Sequence, residues 1–419
     1  MKYYIIAGEA SGDLHGSNLI KGLKQAEPDC EIRCWGGDLM QAAGGSLVRH
    51  YKDTAIMGFL EVLLNLRKIL RNIAFCKEDI LKWNPDVVIL IDYPGFNFKI
   101  AKFAHNHGFT VFYYIAPKIW AWKESRGKHL QRYVDKLFII FPFEIEYFKK
   151  RWNIDAVYRG NPLLDSIDNY RFINESKEDF CKRINDSSIA KSEAIRKNAQ
   201  TYDNEDITAP LLLSASCKYI ALLAGSRKIE IAYLLPRMLE VIGRYPSCKF
   251  LLAAAPSTSM DFYNSIIDKF NLKHPDRAVT KERMIILSGE TYSILKHSDA
   301  AIINSGTASL ETAIIGTPQV VCYGSSEITY QIAKHLVKLH YISLANLILD
   351  KQIFKELIQH TCTPELISKE LDKLLNDANY IEQMKRDYAE VRRVLGGGGA
   401  SKAVAEAIIE NAKQILNKN

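Results

Sequence analysis

Two hydrophobic patterns alternate along the chain. Short continuous apolar runs, rich in β-branched and aromatic residues, occur at Tyr3–Ala7, Ile32–Trp35, Val87–Ile91, Thr110–Ile115 and Leu137–Phe141. Runs of this kind suit parallel strands covered on both faces, because successive side chains then enter packed layers on opposite sides. Stretches with helical periodicity separate them, for example Leu14–Gln25 and Phe98–His107. The β-α-β order predicts an α/β fold with a doubly wound parallel sheet. The rhythm restarts at Tyr219. Strands are expected at Tyr219–Leu223, Phe250–Ala253, Met284–Leu287, Ala300–Ile303 and Gln319–Cys322, with helices around Glu230–Arg244, Met260–Phe270 and Thr307–Ile315. Two Rossmann-like units in series follow, residues 1–166 and 218–379.

Between them, residues 167–217 change character: Ser, Asn, Asp, Glu and Lys dominate, which predicts a linker with a solvated, partly helical insertion. After Thr363 the pattern is helical, at Pro364–Leu375 and Tyr380–Leu395. Gly396–Gly399 interrupts it, and Ser401 is placed to cap a last helix, Lys402–Leu416.

With 419 residues the chain is long enough for two separate cores. No apolar run is long enough to span a bilayer, and the chain opens on a strand pattern, so neither a signal peptide nor a transmembrane helix is expected. The 8 cysteines lack metal-ligand spacing and read as reduced thiols of a cytosolic protein. The formal net charge of +7 is compatible with anionic substrates or an anionic membrane surface. Its basic residues are dispersed without a recognised motif, which argues against nucleic acid.

Candidate chemistry gathers at the ends of the predicted strands. Asn304–Glu311 reads as a strand end, a small-residue turn and a helix start. A helix N-terminus presents unpaired N–H groups, and Ser305, Gly306, Thr307 and Ala308 let an anion approach them. A diphosphate is therefore expected there. Gly8–Asp13 opens the first helix without the spacing of a dinucleotide loop or P-loop. It is either a tight turn capped by Asp13 or Ser11, or a substrate-facing loop with Glu9 as its polar contact. Asp92, at the end of the most apolar strand, is either a turn-stabilising carboxylate or a general base. Arg227 is either a surface arginine or a cation that neutralises a leaving diphosphate in a cleft between the units.

Residues 56–73 form an unusual helix candidate. Ile56, Phe59, Leu60, Leu63, Leu66, Leu70 and Ile73 make one stripe, Met57, Val62 and Leu64 widen it, and Arg67, Lys68 and Arg71 cluster at one end. Such a face suits either lipid headgroups and acyl chains or deep burial. Trp120 and Trp122 are either a wall for an apolar or sugar ligand, or core anchors.

Taken together, Ala7–Asp13, Met57–Val62, Ile91–Pro94, Trp120–Trp122, Phe141–Glu144, Gly225–Arg227 and Ser305–Glu311 resemble the lipid-A-disaccharide synthase family, from Ala7 to beyond Asn346. The resemblance implies a GT-B fold in which helices from about 380 to 419 cross back to complete the first unit. It implies an inverting glycosyltransferase that moves 2,3-diacylglucosamine from its UDP conjugate to 2,3-diacylglucosamine 1-phosphate, with no metal or other cofactor. Asp92 matches the family's catalytic carboxylate. Arg227 and the N–H groups of Ser305–Ala308 would hold the diphosphate, Glu311 the ribose, Asn346 the nucleotide's surroundings, and Glu9, Ser11 and Gly12 the loop opposite.

Because both substrates carry acyl chains, the resemblance favours the interfacial reading, with Met57, Phe59, Leu60, Leu63, Leu64, Arg67, Lys68 and Arg71 in contact with membrane. It implies a cytoplasmic protein held at the inner face of the inner membrane, with homodimerisation left open. The chain departs from the family pattern at Gly95, Lys118-Ile119, Asn161 and Ala224. Gly95 removes a second carboxylate from the loop and leaves Asp92. Other UDP-sugar enzymes of the same fold, such as an epimerase or a transferase with a soluble acceptor, and a non-catalytic lipid- or nucleotide-binding scaffold are the alternatives.

Overall fold

The structure is a computed structural model and describes residues 1–54, 66–121, 124–198, 213–324, 330–331 and 340–417. The chain divides into two compact units: Met1–Asp165 with Val394–Asn419, and Ser166–Arg393.

The first unit holds a seven-stranded sheet, β1 (Lys2–Ala7), β2 (Glu31–Gly36), β3 (Ser46–His50), β4 (Val87–Ile91), β5 (Thr110–Tyr114), β6 (Lys136–Ile139) and β7 (Val157–Tyr158), in the order β3-β2-β1-β4-β5-β6-β7. All pairings are parallel; Ala7 lies opposite Ile91, and Ile91 opposite Tyr114. Alternate residues feed two cores. Tyr3, Ile5, Ile89 and Ile91 pack with Leu19, Leu23, Val404 and Ile408 of the helices Ala10–Ala26 and Ala400–Leu416. Tyr4, Ile6, Val88 and Leu90 pack with Ile73, Ile80, Ile100 and Ala104 of the helices Leu66–Trp83 and Pro94–Asn106. Each fully buried aliphatic side chain contributes about 1.5–3 kcal/mol.

Helix Leu66–Trp83 carries the described end of the 56–73 pattern and runs on to Trp83. It is tied to the sheet by Asp79, which accepts from Arg33 Nε and Nη2 at 2.9 and 2.6 Å and from Tyr4 Oη at 2.6 Å. Met57, Phe59, Leu60, Leu63 and Leu64 lie outside the described residues.

The second unit holds β8 (Lys218–Leu223), β9 (Cys248–Ala254), β10 (Met284–Ser288), β11 (Ala300–Asn304), β12 (Gln319–Tyr323) and β13 (Glu356–Ile358), in the order β10-β9-β8-β11-β12-β13. It is again parallel throughout. Both units therefore have the doubly wound α/β architecture that the apolar runs imply. The strands without a strong apolar run, β3, β7 and β13, lie at sheet edges, where one flank has no neighbour to bury it.

Three expectations need correction. The polar stretch after residue 167 is partly helical as expected, at Lys177–Asn198, but the start of that helix is docked rather than solvated: Phe180, Cys181 and Ile184 are buried, and Arg183 forms ion pairs with Glu175 and Glu290. Residues 380–393 lie in the second unit, because Tyr388 Oη accepts from Gln319 Nε2 at 3.2 Å and Asp387 pairs with Lys351 at 2.7 Å. Ser401 does not cap the last helix. Asp165 does, accepting from the backbone N–H of Gly399 at 2.6 Å, Ala400 at 3.2 Å and Ser401 at 2.7 Å.

Candidate active site

In the first unit the predicted residues gather at the carboxyl ends of β1 and β4, where ligands of open α/β sheets bind. β1 ends in Ala7-Gly8-Glu9, and Glu9 begins the helix Ala10–Ala26 without capping it through its side chain. Glu9 is half-buried and Ser11 is exposed. Gly12 is buried instead: a Cβ there would lie 3.1 Å from that of Ala7, so this glycine lets the helix approach β1. Asp13 does not cap its own helix. It reaches across to cap Asp38–Ala42, accepting from Gly37 N at 2.7 Å, Leu39 N at 3.2 Å and Met40 N at 3.0 Å.

Asp92 follows β4 directly. Its N–H still joins the ladder, donating to Tyr114 O at 3.2 Å, and the backbone then turns left-handed at Asp92 and Tyr93, with φ of 41° and 46°. The carboxyl group reaches solvent, yet protein closes around it. This loss of water, with the Glu9 carboxylate nearby, raises its pKa to about 6, while Lys118 and the Tyr93 N–H act in the opposite sense. Lys118 follows β5 and answers to two carboxylates, Asp92 and Glu144; burial pulls its own pKa down against their pull upward. Glu144 is enclosed, with its pKa raised by burial to about 7, and it accepts from Trp120 Nε1 at 2.9 Å and Phe141 N at 3.1 Å. Trp120 is thereby anchored, edge-on to Phe143 at 5.2 Å. Trp122 lies outside the described residues.

In the second unit the residues gather at the carboxyl ends of β8 and β11. Helix Thr307–Ile315 starts at an extended Gly306 with no side-chain cap. Gly306 and Thr307 are exposed and Ser305 and Ala308 half-buried, so this N-terminus opens to solvent. Arg227 begins the helix Lys228–Ile242 and its side chain is 57% exposed. Glu230 fastens the two loops together: its Oε2 accepts from Ser226 N at 3.1 Å, Arg227 N at 3.3 Å and Asn304 Nδ2 at 3.2 Å. Gly225, with φ of 121°, leaves room for that carboxylate. The structure thus brings Arg227 and Ser305–Ala308 together on one edge. Glu311, one turn on, is half-buried; burial raises its pKa to about 7, and Tyr292 Oη donates to it at 3.3 Å.

Asn346 is a different case. It is fully buried, its Nδ2 donates to Phe354 O at 3.2 Å and Glu356 Oε1 at 2.9 Å, and its Oδ1 accepts from Ile353 N at 2.9 Å. Both polar atoms of the side chain are engaged in shaping its own loop. Sequence reasoning gave no role to Asn304, Glu230 or Tyr292. The bond between Glu230 and Asn304 joins residues far apart in sequence, and no local spacing announces it.

The chain matches the lipid-A-disaccharide synthetase family over residues 3–198 and 192–408. It is 34% identical over 411 residues to the lipid-A-disaccharide synthase of Geobacter metallireducens, covering 97% of this chain and 96% of that one. It is 32% identical over 414 residues to the lipid-A-disaccharide synthase of Trichlorobacter lovleyi, covering 98% and 97%. Among solved structures it resembles the UDP-GlcNAc 2-epimerase of Neisseria meningitidis bound to UDP-GlcNAc, with a TM-score of 0.62 and 13% identity over 98% of this chain and 100% of that one. This last likeness shows the GT-B fold alone. The full-length match to a single family, on a chain whose strand-end loops offer a carboxylate in one unit and an open helix N-terminus beside an arginine in the other, establishes that the chain belongs to the lipid-A-disaccharide synthetase family and is a glycosyltransferase of lipid A biosynthesis.

Proposed function

We propose that Asp92 is the general base of the transfer and that the second unit holds the UDP moiety. The donor is UDP-2,3-diacylglucosamine and the acceptor is 2,3-diacylglucosamine 1-phosphate. The acceptor's 6-hydroxyl oxygen attacks the anomeric carbon, the bond from that carbon to the diphosphate oxygen breaks, and the hydroxyl proton passes to Asp92. Attack opposite the departing UDP inverts the anomeric centre through an oxocarbenium-like transition state. Negative charge grows on the diphosphate as the bond breaks. Arg227 and the free N–H groups at Gly306–Ala308 are placed to meet it, on a scale of roughly 3 kcal/mol per donor lost. Glu311 accepts the ribose hydroxyls.

The observation that carries this reading is the uncapped, exposed start of helix Thr307–Ile315, fastened to the Arg227 loop through Glu230 and Asn304. An N-terminus without a side-chain cap is ready for an anion. The raised pKa of Asp92 suits a base that must accept a proton near neutrality.

The helix ending at Trp83 supplies contact with inner-membrane lipids. Leu66 and Leu70 are 48% and 50% exposed, and Arg67, Lys68 and Arg71 are exposed beside them. Apolar side chains flanked by cations suit an anionic lipid interface. No helix among the described residues is long and apolar enough to cross a membrane.

Calorimetry tests the nucleotide half. Arg227→Ala weakens UDP affinity by roughly tenfold to a hundredfold, the scale of a lost hydrogen bond to a charged group. Unchanged affinity would remove Arg227 from the diphosphate site.

A further inference from the structure

We propose that Asn97 and Tyr113 are positioning residues for the transfer: they hold the backbone of Asp92 and Tyr93 in its left-handed turn and so aim the Asp92 carboxylate. The proposal rests on the reading of Asp92 as general base.

Two consecutive left-handed residues that are not glycine form an unfavourable backbone, because each Cβ crowds the following carbonyl. Something must hold it. The turn swings the Asp92 carbonyl out of the ladder, and two buried donors meet it there. Tyr113 Oη donates to Asp92 O at 2.5 Å, and Asn97 Nδ2 donates to the same oxygen at 2.8 Å. Asn97 Nδ2 also reaches Ile91 O at 3.2 Å, so one amide spans the last two carbonyls of the strand end. Both side chains are fully buried. They come from the two elements flanking the loop: Tyr113 from β5, one residue before the partner of Ile91, and Asn97 from the first turn of helix Pro94–Asn106.

Neither donor is explained by ordinary packing. The Asn97 Oδ1 is buried without a hydrogen-bond partner among the described residues, so the amide is kept at this position for its NH₂ alone. Burial keeps the Tyr113 phenol protonated far above neutrality, so it donates throughout the working pH range.

The turn also sets the surroundings of Asp92. It lays the Tyr93 ring over Gly8, where a Cβ would come within 2.3 Å of the ring. Tyr93 in turn stacks on Phe96 at 5.4 Å. The clamp therefore fixes the Asp92 loop against the residue next to Glu9, the carboxylate that raises the pKa of Asp92.

The test compares Tyr113→Phe, Asn97→Ser and Asp92→Asn, alone and with Asp92→Asn combined with each of the others. Disaccharide formation gives kcat, KM and the acid limb of the pH–rate profile; melting temperature monitors the fold. Tyr113→Phe, which removes one oxygen from an intact ring, is expected to lower kcat by about tenfold with KM for the sugar nucleotide unchanged, since small misplacements of a reacting group are costly. The acid limb moves to lower pH, because a loosened Asp92 gains water. Asn97→Ser does the same. In the Asp92→Asn background neither substitution has a further effect on kcat.

Wild-type kcat and acid limb in Tyr113→Phe, with turnover lost in Asp92→Asn, would overturn the clamp and leave the base in place. Normal turnover in Asp92→Asn would overturn both. If Asn97→Ser fails to fold, Tyr113→Phe decides alone; a lower kcat that persists unchanged in the Asp92→Asn background would mean a merely structural role.

Discussion

At the scale of single residues, the proposed chemistry depends on the charge around Asp92. Its pKa stands at about 6 because protein displaces water and Glu9 repels the carboxylate, against the pull of Lys118. A general base works only when ionised, so a raised pKa moves the loss of activity upward: kcat falls as pH drops through about 6. The two neighbours act with opposite signs. Glu9→Gln removes a negative charge, lowers the Asp92 pKa and moves the acid limb to lower pH. Lys118→Met removes a positive charge and moves it to higher pH. Profiles measured over pH 5 to 8 distinguish these outcomes, and shifts in one common direction would contradict the assignment. The position of Asp92 was legible in the sequence, because an acid after a fully apolar strand falls at a carboxyl edge. Its control was not legible. Glu9, Lys118, Asn97 and Tyr113 reach it from separate segments, and their meeting is a property of strand order. Nor were the partners of Asn346 legible: its amide is bonded within its own loop, to Ile353, Phe354 and Glu356.

At the scale of elements, apolar patterning located the inner strands and the edge strand β10 (Met284–Ser288), and missed the other three edge strands, β3, β7 and β13, which lack a continuous apolar run. The helix caps were missed as well. Asp13 and Asp165 cap helices other than their own, and only the fold reveals such partners. Helix Ala10–Ala26 meets Ala400–Leu416 at Gly22, where a Cβ would lie 2.8 Å from that of Ala405. Gly22→Val forces the two helices apart. It is expected to lower stability by about 1–3 kcal/mol, the usual cost of overpacking, read as an earlier midpoint in urea. An unchanged midpoint would mean that the helices yield freely. On helix Leu66–Trp83, Leu70→Glu is expected to weaken sedimentation with anionic phosphatidylglycerol vesicles several-fold without altering UDP affinity. Vesicle binding equal to the wild type would move the membrane surface elsewhere.

At the scale of the whole molecule, each unit folds around its own sheet and brings a different half of the reaction. On the proposed assignment the first carries Asp92 as the base, and the second carries the open helix N-terminus and Arg227. The chain's last helix returns to the first unit, so that unit is assembled from two stretches of sequence, while the second, Ser166–Arg393, is continuous. Two sheets were legible because each restarts the β-α-β rhythm. The allegiance of residues 380–393 and of the helix Lys177–Asn198 was not, since both are decided by side chains such as Tyr388 and Arg183 meeting partners in the second unit. The division of labour is tested most directly by measuring UDP affinity and disaccharide 1-phosphate formation side by side in Asp92→Asn. Turnover is predicted to fall by at least ~10²-fold, the scale of a lost general base, with UDP affinity at the wild-type value. Near-normal turnover, or UDP affinity lost in parallel with turnover, would contradict it.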